Sequence, residues 1–148
     1  MDIIDVYKST FSFVPSDVFH WSPESNTIFF NNFEIINNKG KLSLLHEVAH
    51  ALLQHTNYRY DIDLIKIESD SWQKTKLLAL EQNVEFDDGH AQECLESYRS
   101  WLHKRATCPN CEQVSLESKP QVYACFNCGA QWNVSRNQLC QIQRKRLI

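Results

Sequence analysis

Apolar positions in residues 42–55, Leu-Ser-Leu-Leu-His-Glu-Val-Ala-His-Ala-Leu-Leu-Gln-His, recur at helical spacing through Leu42, Leu45, Ala49, Leu52 and Leu53. That period predicts a helix, which Ala49 and Ala51 favour by intrinsic propensity. Gly40, just upstream, reads as the breaker before it. Residues 2–12 suit a short helix with Ile3, Val6, Tyr7 and Phe11 turned inward. From Val18 to Phe30 the pattern becomes aromatic and β-branched on either side of Ser-Pro-Glu-Ser-Asn, predicting two short strands joined by a turn. Phe33 to Ile36 reads as a further extended piece, so a small sheet should precede the 42–55 helix.

Beyond a polar loop, Asp61 or Asp63 can cap a second helix running to about Gln82. Its Leu64, Ile65, Ile67, Trp72, Leu78 and Ala79 define one face, and Glu68 lies in the middle of it. Asp70 is about 200° round the helix from Glu68, toward solvent. After a connection at 83–89, a third helix from about His90 to Lys104 carries Cys94, Leu95, Tyr98, Trp101 and Leu102 at helical spacing. Val122-Tyr123-Ala124 and Gln131-Trp132-Asn133-Val134 look like short strands. The end of the chain, basic at Arg144-Lys145-Arg146, reads as a solvated tail.

A chain of 148 residues suits one ordinary domain, or a smaller domain with an appendage. With 43% hydrophobic and 11% aromatic residues the composition is that of a chain with a core, which excludes a disordered one. A net charge of −3 argues against a protein that coats nucleic acid. No apolar run is long enough to span a bilayer, and the first residues lack the pattern of a secretory signal, so a cytoplasmic location is expected. Four of the six cysteines form two Cys-x-x-Cys pairs, Cys108/Cys111 and Cys125/Cys128. In a reducing compartment that spacing points to a closed zinc site, a zinc ribbon. Cys94 and Cys140 read as free thiols.

Within the first helix, His46-Glu47-Val48-Ala49-His50 is an HExxH pattern, and positions i and i+4 of a helix lie side by side. Two imidazoles there can hold one zinc ion, and Glu47 is placed to take a proton from a water that the metal acidifies. The plain alternative is a core helix with two hydrogen-bonded histidines. Catalytic zinc uses three protein ligands, and Glu68 is the natural third, because a carboxylate on an apolar stripe is costly unless paired or metal-bound. A salt bridge, or a contact to a ligand histidine, would also satisfy it.

Residues 44–55, with the trailing His55, and Glu68 standing three before Ser71, resemble the ImmA/IrrE family of small zinc metallopeptidases. The likeness covers roughly residues 15–105. It implies that His46, His50 and Glu68 bind catalytic zinc, that Glu47 is the general base, and that His55 lies near the substrate. It also implies a protein substrate, such as a transcriptional repressor. Ser71 stands where that family usually has alanine, and Trp72 where it has a small polar residue. Asp88-Gly89-His90 is similar to a motif of SprT-like proteases, which would make His90 the third ligand and DNA-associated protein the substrate. A third reading is a non-catalytic zinc protein that binds a partner through its ribbon.

The expectation is therefore an α+β chain: a minimal zincin-like metallopeptidase domain over 1–104, a zinc ribbon over 105–135 and a polar basic tail over 136–148. It would carry one catalytic and one structural zinc and hydrolyse a protein or peptide, with His55, Tyr58 and Tyr60 as candidate partners for the tetrahedral intermediate. Neither a membrane nor direct nucleic-acid binding is expected.

Overall fold

The computed structural model describes residues 2–135 and the backbone of 144–147. Asp2 caps a short helix, α1 (Ile3–Tyr7), by accepting the Ile4 N–H at 3.2 Å. The helix expected over 2–12 is shorter: it stops at Tyr7, whose carbonyl accepts the N–H groups of Thr10 and Phe11 in a turn, and Ser12 begins a strand. That strand, β1 (Ser12–Pro15), is followed by β2 (His20–Ser22) and β3 (Thr27–Phe30). β3 is central, parallel to β1 and antiparallel to β2, with Trp21 opposite Ile28.

Phe33 to Ile36 is not extended. The Asn31 side chain accepts the N–H groups of Phe33 and Glu34 at 3.0 and 3.3 Å, which bends the backbone into a turn. Phe33 and Ile36 consequently stay 86% and 81% exposed. Gly40 is not a breaker either. Asn37 is the N-cap, accepting the Gly40 N–H at 2.7 Å, so α2 spans Asn38–Leu52 with Gly40 inside its first turn. The glycine is needed for close approach, since a Cβ there would lie 1.8 Å from the Glu34 carbonyl oxygen.

Two further helices follow, α3 (Asp61–Glu81) and α4 (Asp88–Ala106), then β4 (Leu116–Lys119), β5 (Val122–Ala124), β6 (Gln131–Val134) and β7 (Arg144–Leu147). No helix among the described residues is long and apolar enough to cross a membrane. The structure is α+β, with two small sheets and mixed helices. Its contacts form two compact units that are not consecutive in sequence: one joins the chain up to Asn57 to Ile67–Ala91, the other joins Tyr58–Lys66 to the chain from Gln92 onward.

In the first unit, Leu42, Leu44, Leu45, Val48, Ala49 and Ala51 of α2 pack with Trp21, Ile28 and Phe30 of the sheet, Ile3 and Phe11, and Leu78 and Ala79 of α3. Each fully buried large side chain of this set contributes about 1.5–3 kcal/mol. This core makes α2 a fixed platform.

In the second unit β4, β5, β6 and β7 form an antiparallel sheet in that order, and the Tyr123 and Trp132 rings stack 5.6 Å apart across β5 and β6. Asp61, expected as a helix cap, is instead buried in a bidentate ion pair with Arg105 at 2.8 and 3.2 Å, and it accepts the Tyr123 hydroxyl. Asp63 does the capping, taking the Tyr60 N–H at 3.2 Å. The tail expected over 136–148 is also corrected in part. Arg144–Leu147 pairs with the free edge of β6, where a basic sequence suits an outermost strand. Residues 136–143, and with them Cys140, lie outside the described part of the chain.

Candidate metal centres

Helical spacing aims two rings of α2 at one point. His46 Nε2 and His50 Nε2 are 3.1 Å apart, and both rings are buried. From α3, Glu68 brings Oε2 to 3.0 Å from His46 Nε2 and Oε1 to 3.3 Å from His50 Nε2. A tetrahedral zinc with such ligands at about 2.0–2.2 Å separates them by roughly 3.3–3.5 Å, so the three donors already stand at the scale of a coordination shell. Two imidazoles and one carboxylate, without a thiolate, are also a ligand set that zinc accepts for catalysis. His46, His50 and Glu68 therefore form a group able to hold a metal ion.

The electrostatics agree with a site built for a cation. Burial would push the Glu68 carboxyl up, but hydrogen bonds and charge from His46 and His50 hold it down at about 2. Burial likewise opposes a charge on His50, yet the hydrogen bond and charge of Glu68, with Glu47 adding, leave its pKa raised. The Glu68 carboxylate thus favours positive charge beside it.

The outer nitrogens of both histidines are engaged. His46 Nδ1 lies 3.3 Å from Ser71 Oγ, and the Ser71 hydroxyl donates to the His46 carbonyl at 3.1 Å, which leaves the hydroxyl oxygen to accept the Nδ1 proton. Trp72 stacks on the His46 ring at 4.1 Å. His50 Nδ1 is 2.8 Å from His55 Nδ1. Burial and the nearby His50 keep the pKa of His55 low. Glu47, on the half-buried side of α2, is fixed by the Trp21 backbone N–H, which donates to its Oε2 at 2.7 Å. The Trp21 indole also donates to the His55 carbonyl at 3.0 Å.

Asp70 is half-buried and does not join the converging donors. His90 does not join them either: its ring meets Trp72 edge-on at 5.8 Å, and its backbone N–H donates to Asp87 Oδ1. Tyr58 and Tyr60 belong to the second unit. Sequence reasoning missed Trp21, whose decisive contact is made by its backbone. It noticed Ser71 only as a departure from a family pattern, although a hydroxyl one turn from Glu68 was the available signal.

The second centre lies in the ribbon. Cys108 Sγ is 3.6 Å from Cys128 Sγ, and Cys111 Sγ is 3.5 Å from Cys125 Sγ. Zinc–sulfur bonds of about 2.3 Å place sulfurs roughly 3.8 Å apart, so these four fit one ion as a closed set. Both knuckles use the same turn. Glu112 N–H bonds the Cys108 carbonyl and Gly129 N–H bonds the Cys125 carbonyl, with positive φ at both residues. Each knuckle also braces the other, through Asn110 Nδ2 to Cys128 Sγ and Asn127 Nδ2 to Cys111 Sγ. The Cys128 backbone N–H brings the Cys125 thiol down to about 6, toward the thiolate that a metal binds.

No family model, curated protein or solved structure matches this chain. Its chemistry is read from its own residues.

Proposed function

We propose that this chain is a zinc-dependent endopeptidase of the ImmA/IrrE kind, acting in the cytoplasm on a regulatory protein such as a transcriptional repressor. The observation that carries the reading is the convergence of His46, His50 and Glu68 beside a glutamate that is not one of the three donors. His46 Nε2, His50 Nε2 and the Glu68 carboxylate would hold the ion. When bound, zinc supplies Lewis acidity, acidifying water and polarising a peptide carbonyl.

The protein's own part is proton transfer and orientation. Glu47 keeps one oxygen on the Trp21 amide, which leaves the other to accept a proton from the attacking water and to return it to the leaving nitrogen. Ser71 holds His46 in the tautomer whose Nε2 faces inward. The four ribbon cysteines, Cys108, Cys111, Cys125 and Cys128, would take a second, structural zinc. The SprT-like alternative loses support because His90 stands apart from the donors.

Glu47→Gln tests the reading, since the amide keeps the shape and can still accept the Trp21 N–H. It should retain two zinc ions and the fold while losing about 10²–10⁴-fold in cleavage rate. The assay is co-expression with a repressor encoded beside the gene, read on a gel. Equal cleavage by wild type and variant overturns the mechanism.

A further inference from the structure

His55 is held against the metal group by more devices than a surface histidine needs. Helix α2 closes in a Schellman turn, with Gln54 N–H on the Ala51 carbonyl at 3.1 Å and His55 N–H on the His50 carbonyl at 3.0 Å. The turn puts Gln54 at φ 56°, a left-handed conformation that glycine would adopt without cost. The Trp21 indole then fixes the His55 carbonyl at 3.0 Å. Together these fold residue 55 back over residue 50.

Two imidazole nitrogens 2.8 Å apart must share a proton, so one donates and the other accepts. His50 Nε2 faces His46 and Glu68 and must keep its lone pair free to bind a metal, which places the His50 proton on Nδ1. His55 Nδ1 is then the acceptor. Neutral His55 carries its own proton on Nε2. The arrangement parallels Ser71 at the other histidine, so each imidazole of the pair has one outer partner.

We propose that His55 is a positioning residue of the metal centre: its Nδ1 accepts the His50 Nδ1 proton and so fixes the tautomer and rotation of that ligand. This rests on the reading that His46, His50 and Glu68 hold zinc. It gives the trailing histidine a role in metal binding in place of one in substrate contact. The neighbouring residues are otherwise tied by backbone bonds, so the ring itself carries the effect.

The test uses the full chain with the ribbon zinc retained, the first centre emptied by mild chelation, and Co²⁺ as the probe. His55→Phe keeps a flat ring without an acceptor, whereas His55→Asn restores an acceptor oxygen at the position of Nδ1. Cobalt affinity, followed by its visible absorption bands, should fall about 10–100-fold in His55→Phe and recover most of that loss in His55→Asn. Circular dichroism confirms that both variants are folded. Wild-type affinity in His55→Phe, or equal weakening in both variants, overturns the positioning role and leaves the peptidase reading intact. A wild-type chain that takes up no cobalt at this centre, while its ribbon zinc is in place, overturns the metal reading and this proposal with it.

Discussion

Trp21 holds Glu47 from the edge of the sheet: its backbone N–H donates to Glu47 Oε2 at 2.7 Å rather than to a neighbouring strand. β2 is an outer strand, so that N–H is free of the β-ladder, and a carboxylate from α2 takes it. A free glutamate gives up as much as about 1.5–2 kcal/mol of rotamer entropy when it is fixed in place. Here folding has already imposed that order. Because the donor is the main chain, no side-chain pattern announces it.

Glu68 and Asp70 separate the metal reading from a general need for acid on α3. Glu68 touches both histidines, while Asp70 is half-buried and outside the donor group. Glu68→Gln should lose the first zinc, and Asp70→Asn should keep it. Elemental analysis of the purified variants decides. Full zinc content in Glu68→Gln would contradict the ligand assignment.

Periodicity made the large elements legible. The α2, α3 and α4 helices, the strands β2, β3, β5 and β6, and both cysteine pairs follow from spacing alone. Spacing also pairs His46 with His50, and a carboxylate on an apolar stripe makes Glu68 a candidate to join them, but a salt bridge would have satisfied it equally and only the packing of α3 on α2 brings the three together. What periodicity missed are features decided by single long-range contacts. Asn31 turns an apolar stretch away from the sheet, Arg105 takes Asp61 from the capping role, and the edge of β6 recruits Arg144–Leu147. Backbone donors such as Trp21 leave no trace in residue type.

Gly40→Ala is a sharp case of such a contact. Alanine is the better helix former by about 1 kcal/mol, so local propensity alone predicts stabilisation. The added Cβ would meet the Glu34 carbonyl oxygen at 1.8 Å, and a backbone atom cannot rotate aside. The turn before α2 must shift, and a net loss of about 1–3 kcal/mol is expected from the overpacking. Urea unfolding of the variant checks this. A gain in stability would show that the turn yields.

Asp61 and Arg105 form an ion pair whose side chains are only 2% and 1% exposed. Asp61→Ala leaves a buried guanidinium without its counter-charge and the Tyr123 hydroxyl without its acceptor, a loss of about 3–5 kcal/mol. Asp61→Asn retains hydrogen-bond acceptance and should lose less. Denaturant midpoints give the order, and equal midpoints for the two variants would show that hydrogen-bond acceptance at position 61 contributes nothing once the charge is gone.

Removing the first zinc should expose the linkage between protons and its ligands. In the metal-free chain the His50 pKa is raised from 6.5, burial opposing the charge but Glu68 and Glu47 outweighing it. A raised value means the folded state holds this proton more tightly than the unfolded chain does. That stabilisation is fully present below the unfolded value of 6.5 and is lost as pH rises through the folded one. Glu68, held at about 2, stays ionised across the neutral range and adds little slope there. His55 is lowered, so its contribution runs the opposite way, present above 6.5 and lost as pH falls. Zinc needs the lone pair of His50, so its stabilisation grows as proton competition fades. The gap in thermal midpoint between the loaded chain and one stripped of the first zinc should therefore widen from about pH 5.5 to about pH 8. Differential scanning fluorimetry on both forms, with the ribbon zinc verified by metal analysis, measures it. A gap that is constant over this interval would mean that no proton is displaced from His50 when the metal binds.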